Sequence, residues 1–156
     1  MTLDELLARE AIRATMAKCS RSGDSARAED YAACFTQDGV LQVESKTGDV
    51  HFRHEGRATI LDWQTRWKSG APGEDTARSR AGFVRHNLTT SQVTFTGPDS
   101  AKARTYWFVM SDNGPDHCGV YTDEFRQTGD DWLISYRRVR TEWTAATSLF
   151  QRKLED

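Results

Sequence analysis

At Phe83 the spacing of apolar residues changes from about 3.6 to 2, and from there to Trp143 the chain reads as strand after strand. Four long runs, 83–95, 101–111, 119–127 and 132–143, alternate apolar and polar residues. Thr96-Gly97-Pro98-Asp99, Asp112-Asn113-Gly114-Pro115 and Thr128-Gly129-Asp130-Asp131 separate them. Links this short join antiparallel neighbours, because a parallel crossover needs a dozen residues or more.

The chain before Phe83 follows the helical period. Thr2 and Glu5 form a capping-box pattern, and Leu3, Leu6, Leu7, Ala11, Ile12, Met16 and Cys19 recur at helical spacing until Ser22-Gly23. A second helix is expected just after Asp24 or Ser25, with Ala28, Tyr31, Ala32 and Phe35 on one face, ending near 36–39. Asp24 would then sit in a polar corner between the two helices. Residues 40–43 and 50–53 read as a short hairpin around Thr47-Gly48-Asp49, and 57–68 as a third helix carrying Ile60, Trp63 and Trp67. The polar stretch 69–81, punctuated by Gly70, Pro72 and Gly73, is expected to be a mobile lid or rim loop. The result is an α+β fold: a curved antiparallel sheet wrapped around three N-terminal helices, enclosing a pocket.

A chain of 156 residues is expected to form one domain, taken as 1–145 with a tail over 146–156. A net charge of -2 with interspersed signs offers no footprint for nucleic acid and no polybasic membrane patch. The N-terminus lacks the basic and apolar regions of a secretory signal, and no apolar run is long enough to cross a bilayer. Cys19, Cys34 and Cys118 are odd in number and show no CxxC spacing, which fits a reducing, cytoplasmic compartment better than a disulfide framework or a zinc site. A small-molecule substrate is the expected partner, and apolar residues such as Val109 or Val139 on the sheet's outer face would be covered by a second copy in a homodimer.

His86 is the residue best suited to proton chemistry, because it lies in the strand-like run that begins the sheet. An imidazole takes a proton usefully when a carboxylate fixes its tautomer and balances the cation, and Asp24 is the candidate. Two plainer readings stand beside this one: Asp24 as a helix N-cap and His86 as a hydrogen-bonded core residue. His51 and His54, three apart on a strand, would point to opposite faces, so a metal site is not expected there. His117, in a turn containing Gly114 and Pro115, reads as solvated. The five tryptophans are first of all packing mass. On the third long strand Tyr121, Asp123 and Phe125 share a face, and on the fourth Arg138 and Arg140 share a face with Tyr136 while Arg137 points the other way.

The order of these elements and several local strings resemble the nuclear transport factor two-like superfamily, in its SnoaL-like branch with scytalone dehydratase and lindane dehydrochlorinase. The strings are Ala11-Ile12-Arg13, Asp24 eleven residues before Phe35, Phe35-Thr36-Gln37-Asp38-Gly39-Val40, Arg85-His86-Asn87-Leu88-Thr89, Gly119-Val120-Tyr121-Thr122-Asp123-Glu124-Phe125, and Trp132 with Arg137-Arg138-Val139-Arg140. In those relatives an aspartate at the first helical corner and a histidine on the first long strand form a catalytic dyad, and Asp24 and His86 match these positions. Ketosteroid isomerases place a base aspartate and a helix-one tyrosine where this chain has Val43 and Cys19, which argues against that mechanism; Asp123 does match their protonated, hydrogen-bond-donating aspartate. The resemblance implies a lyase or isomerase that needs no cofactor or metal, acting on a cyclic or polyketide-like molecule. Asp24 and His86 would be catalytic, and Tyr31, Tyr106, Asp123 and Arg140 would contact substrate. Ring-hydroxylating dioxygenase small subunits share the fold, so a non-catalytic binding module or assembly subunit is the alternative.

Overall fold

Thr2 and Glu5 close the capping box as expected: the Thr2 N–H donates to Glu5 Oε2 at 2.9 Å, and the Glu5 N–H to Thr2 Oγ1 at 3.2 Å. From there α1 runs Leu3–Asp24 and buries Ile12, Met16 and Cys19 against the sheet. It passes through Ser22-Gly23, and it stops where Ala26 adopts a φ of 53°, a left-handed conformation unusual for alanine. The computed structural model describes residues 2–69 and 81–150. The expected lid loop therefore lies outside the described residues apart from its two ends.

The second helix, α2, is a single turn, Ala28–Ala32. It ends earlier than the periodicity suggested because Phe35 enters the sheet beside Ile134, whose N–H bonds the Cys34 carbonyl at 2.9 Å. The strand β1 is accordingly Phe35–Glu44, followed by β2 Val50–Glu55, α3 Arg57–Ser69, β3 Val84–Gly97, β4 Ser100–Ser111, β5 Gly114–Thr128 and β6 Asp131–Thr144. The hairpin turn between β4 and β5 needs only Asp112 and Asn113, since Gly114 supplies a φ of 89°. This shorter turn places Asp116 and His117 inside a strand, not in a loop.

The six strands form one curved, unclosed sheet in the order β2-β1-β6-β5-β4-β3. Every neighbouring pair is antiparallel except β1 and β6, which run parallel. That pair departs from the fully antiparallel sheet expected, and it can do so because the chain from β2 to β5 separates the two strands and no tight turn fixes their direction. Two apolar clusters fill the space under the helices. The larger gathers Ile12, Met16, Phe35, Leu41, Ile60, Phe125 and Ile134, and the smaller gathers Val84, Trp107, Val109 and Tyr121. Val109 and the half-buried Val139 thus face inward, so neither is the outer-face residue they were taken for. The outer face instead exposes Tyr106, Phe108 and Trp143.

The residues after 145 continue to hold the domain as far as Phe150. Asn113 Nδ2 donates to the Thr147 carbonyl at 3.0 Å, and the Leu149 N–H to Asp116 Oδ2 at 2.9 Å. No helix among the described residues is long and apolar enough to cross a membrane.

Candidate active site

Asp24 is the last residue of α1, only 7% exposed, and it faces β3. Its Oδ2 accepts the His86 backbone N–H at 2.9 Å, and its Oδ1 lies 2.6 Å from His86 Nδ1. A carboxylate only accepts, so Nδ1 carries a ring hydrogen, and in the neutral imidazole Nε2 carries the lone pair. The N-cap of α2 is Arg27, which makes no side-chain cap. Capping by Asp24 is therefore not found: the helix ended two residues later than its sequence suggested, and the carboxylate turned to the sheet.

A groove of about 530 Å³ runs beside the pair, bordered by Ala17, Arg21 and Asp24 of α1 and by Arg85, His86 and Leu88 of β3. No aromatic residue other than His86 borders this groove among the described residues, and aromatic rings gather on the neighbouring strands. The ring of Trp107 lies 6.1 Å from His86 and stacks on Tyr121 at 5.3 Å.

Asp123 and Arg137 are both buried and face each other across β5 and β6. The guanidinium donates to both carboxylate oxygens, Nε to Oδ1 at 2.9 Å and Nη2 to Oδ2 at 2.7 Å, and Nη1 reaches Cys19 Sγ at 3.2 Å. It also lies over the Tyr121 ring, 4.4 Å from its centre. Asp123 is thus an acceptor for arginine, not the protonated donor that the ketosteroid comparison suggested. Burial holds the Tyr31 phenol well above its ordinary range, within the field of Cys19, Arg137 and Tyr121. Cys19, Arg137 and Asp123 make one buried hydrogen-bonded cluster under the Tyr121 ring, which stacks on Trp107 beside His86.

Tyr106 and Arg140 are not brought to this site. Tyr106 is 48% exposed on the opposite face of β4, with the Arg104 guanidinium over its ring. Arg140 lies in the same cross-strand row, since Tyr106 and Arg140 are both register partners of Val120. The expectation for Arg140 failed because Glu124 pairs Tyr136 while Phe125 pairs Ile134, leaving Ser135 as an extra residue. That bulge reverses the alternation, so Arg137 takes the inward position that strict period two assigns to Tyr136, Arg138 and Arg140.

Sequence reading also missed Asp116 and His117. Asp116 is fully buried and accepts from Ser111 Oγ at 3.2 Å, Ser148 Oγ at 2.5 Å and the Leu149 N–H, while His117 Nδ1 lies 2.7 Å from its Oδ1. Burial raises the Asp116 pKa, but these donors outweigh it and hold the carboxyl below its usual range. The His117 ring stands edge-on to His86 with centres 6.4 Å apart. Adjacent Asp-His on a strand was the available signal, obscured by assigning both to a turn.

The sequence matches the family model described as a SnoaL-like domain over residues 4–138. The chain belongs to the SnoaL-like domain family. Its fold is shared with a candidate scytalone dehydratase from Novosphingobium aromaticivorans, at 21% identity and a TM-score of 0.71, covering 93% of this chain and 91% of that one. LinA is similar at 17% identity and a TM-score of 0.72, with 96% and 97% covered. So is the β subunit of a candidate aromatic-ring-hydroxylating dioxygenase from the same Novosphingobium, at 20% identity and 0.72, with 94% and 97% covered. At these identities the SnoaL-like chain shares their architecture. Among curated proteins none matches the sequence.

Proposed function

We propose that this SnoaL-like domain is a cofactor-independent lyase or isomerase in which His86 abstracts a proton from a cyclic or polyketide-like small molecule and Asp24 orients and charge-balances the imidazole. The observation that carries the reading is the double hold of Asp24 on His86, at the backbone N–H and at Nδ1. It leaves Nε2 as the base and puts a carboxylate against the cation that forms. A leaving group beside the carbanion would make the reaction an elimination such as dehydration; a carbonyl beside it would make it an isomerisation or cyclisation. The likeness to a candidate scytalone dehydratase and to LinA supports this direction.

The protein is proposed to work in the cytoplasm, where Cys19, Cys34 and Cys118 remain free thiols, and as a homodimer through the outer face of the sheet. Phe108 and Trp143 are both register partners of Cys118, so two exposed aromatics flank it on that face. The same face favours a second reading, an assembly subunit like the dioxygenase β subunit whose fold it shares.

Deuterium exchange tests the first reading. Cyclic ketones such as 1-tetralone, together with β-hydroxy ketones, are incubated with the protein in heavy water, and α-proton exchange and elimination are followed by NMR. The wild-type protein should accelerate at least one of them and His86→Gln should not; equal rates for the two proteins would remove the dyad from the account.

A further inference from the structure

At the end of the sheet β3 has a free edge, and α1 is tied to it at two points: Arg9 Nη1 donates to the Val93 carbonyl at 2.7 Å, and Asp24 Oδ2 accepts the His86 N–H at 2.9 Å. The groove of about 530 Å³ lies beside the second tie. Because the His86 N–H points away from β4, so does that of Leu88 two residues on, which makes it an edge donor on the side of the groove. The charge around this groove is one-sided. Arg21 of α1 and Arg85 of β3 border it, both are exposed, and neither has a carboxylate partner among the described residues. Arg85 Nη1 donates to the Val84 carbonyl at 2.7 Å, which leaves Nη2 unengaged. Asp24, the one acid on the border, already has an oxygen on each of two His86 nitrogens. Ser20, Ser25 and Asn87 add hydroxyl and amide groups, and Ala17 and Leu88 add apolar surface.

We propose that Arg21 and Arg85 receive the carboxylate of a small organic acid whose hydrocarbon part lies along Ala17 and Leu88, beside His86. A guanidinium presents a planar fork of donors that matches two carboxylate oxygens, and two such forks without acidic partners give the groove an uncompensated positive charge. The groove is of the size that holds a small organic molecule, and its apolar surface favours an acid with a hydrocarbon body over a bare inorganic anion. The substrate class is then a cyclic or polyketide-like acid, held by its charge from both α1 and β3. This deepens the proton-abstraction reading and rests on it for the reaction, but not for the binding.

The test compares 2-naphthoate with 2-naphthamide, a neutral molecule of nearly the same shape. Calorimetry at low salt should give about ten-fold tighter binding of the acid by the wild-type protein. Arg21→Gln and Arg85→Gln should each remove most of that preference and leave the amide unaffected. Arg13→Gln, which removes an exposed cation of α1 that does not border the groove, should change neither affinity. In the wild-type protein, the Leu88 backbone amide signal in nitrogen NMR should shift with naphthoate, a reading that needs no variant to fold. Equal affinities for acid and amide, a preference that survives in both groove variants, an equal loss in Arg13→Gln, or no naphthoate binding at millimolar concentration would each overturn the proposal. Inorganic phosphate binding as tightly as naphthoate would overturn the organic-acid class. His86→Gln separates the two ideas: it should abolish exchange chemistry and retain the preference for the acid, whereas failure of the dyad alone would leave exchange intact in that variant.

Discussion

Asp24 grips His86 twice, and the two contacts do different things. The bond to the backbone N–H at 2.9 Å ties the end of α1 to the start of β3, while the 2.6 Å contact to Nδ1 sets the tautomer of the ring. Two segments 62 residues apart in sequence are thereby joined at the imidazole proposed as the base. The first contact is structural and any small acceptor would serve it; only the second requires a carboxylate.

The Asp123–Arg137 pair should prove costly to break and cheap to replace. Both groups are buried, so Asp123→Leu leaves an uncompensated guanidinium in the core and should destabilise by about 3–5 kcal/mol. The double variant Asp123→Leu with Arg137→Met should recover most of that loss. Urea unfolding of the three proteins measures this, and a double variant no more stable than the single one would show that the pair contributes more than mutual neutralisation.

Acidification should weaken the fold through histidines before it reaches the carboxylates. His117 and His54 are both held below the ordinary histidine range, in each case by burial first. The unfolded chain takes up these protons near pH 6.5 while the folded chain resists. Stability is therefore complete above that pH and falls as the pH drops below it, until the folded imidazoles also titrate. The aspartates act in a lower window: Asp38, brought down to about 2 mainly by Arg126, loses its contribution only as the pH falls below about 4. Stability from denaturant curves at pH 7.5, 6.5 and 5.5 should decline along that series, and His117→Asn should flatten the decline. A flat or opposite trend in the wild-type protein would contradict the assignment.

Gly119 should tolerate no side chain. A Cβ built there would stand 1.9 Å from the Arg140 carbonyl oxygen and 2.8 Å from the Trp107 ring, at the irregularity where β5 pairs β6. Gly119→Ala must push β6 or the indole aside and should cost about 3 kcal/mol, at the upper end for overpacking. Thermal melts check this; an unchanged midpoint would mean that the strands are spaced differently there.

Disrupting the outer face should separate subunits without touching the dyad. Phe108→Asp combined with Trp143→Ser removes two exposed aromatics from one face. Light scattering at tens of micromolar, a range suited to a specific interface, should report a dimer for the wild-type protein and a monomer for the variant. A wild-type monomer would dismiss the interface.

Much of the fold was legible because period, caps and short turns are local signals. The capping box at Thr2 and Glu5, the change of period near Phe83 and the four long strands are all present, the third of them starting earlier than indicated. What failed was non-local. The parallel pairing of β1 with β6 has no signature in either strand, and the single turn of α2 was cut short by the pairing of Phe35 with Ile134. In the site, the contact of Asp24 with His86 was approached through resemblance, since nothing local tells a carboxylate at a helix end whether to cap or to cross. Arg137 was missed for the sake of one bulged residue, Ser135, and His117 because the third long strand was begun at Gly119, whereas β5 starts at Gly114.

The most direct test of the account is Asp24→Asn. Asparagine is nearly isosteric and its carbonyl can still accept the His86 N–H, so the tie between α1 and β3 survives. Its amide, however, donates toward Nδ1, which moves the ring hydrogen to Nε2 and removes the lone pair that would take the substrate proton. Measured as proton exchange on a substrate analogue alongside a thermal melt, the variant should lose at least about 10²-fold in rate, the lower bound for a positioned base, while its melting temperature stays close to that of the wild-type protein. An Asp24→Asn protein that keeps its full exchange rate would contradict the dyad and leave Asp24 as a structural tie.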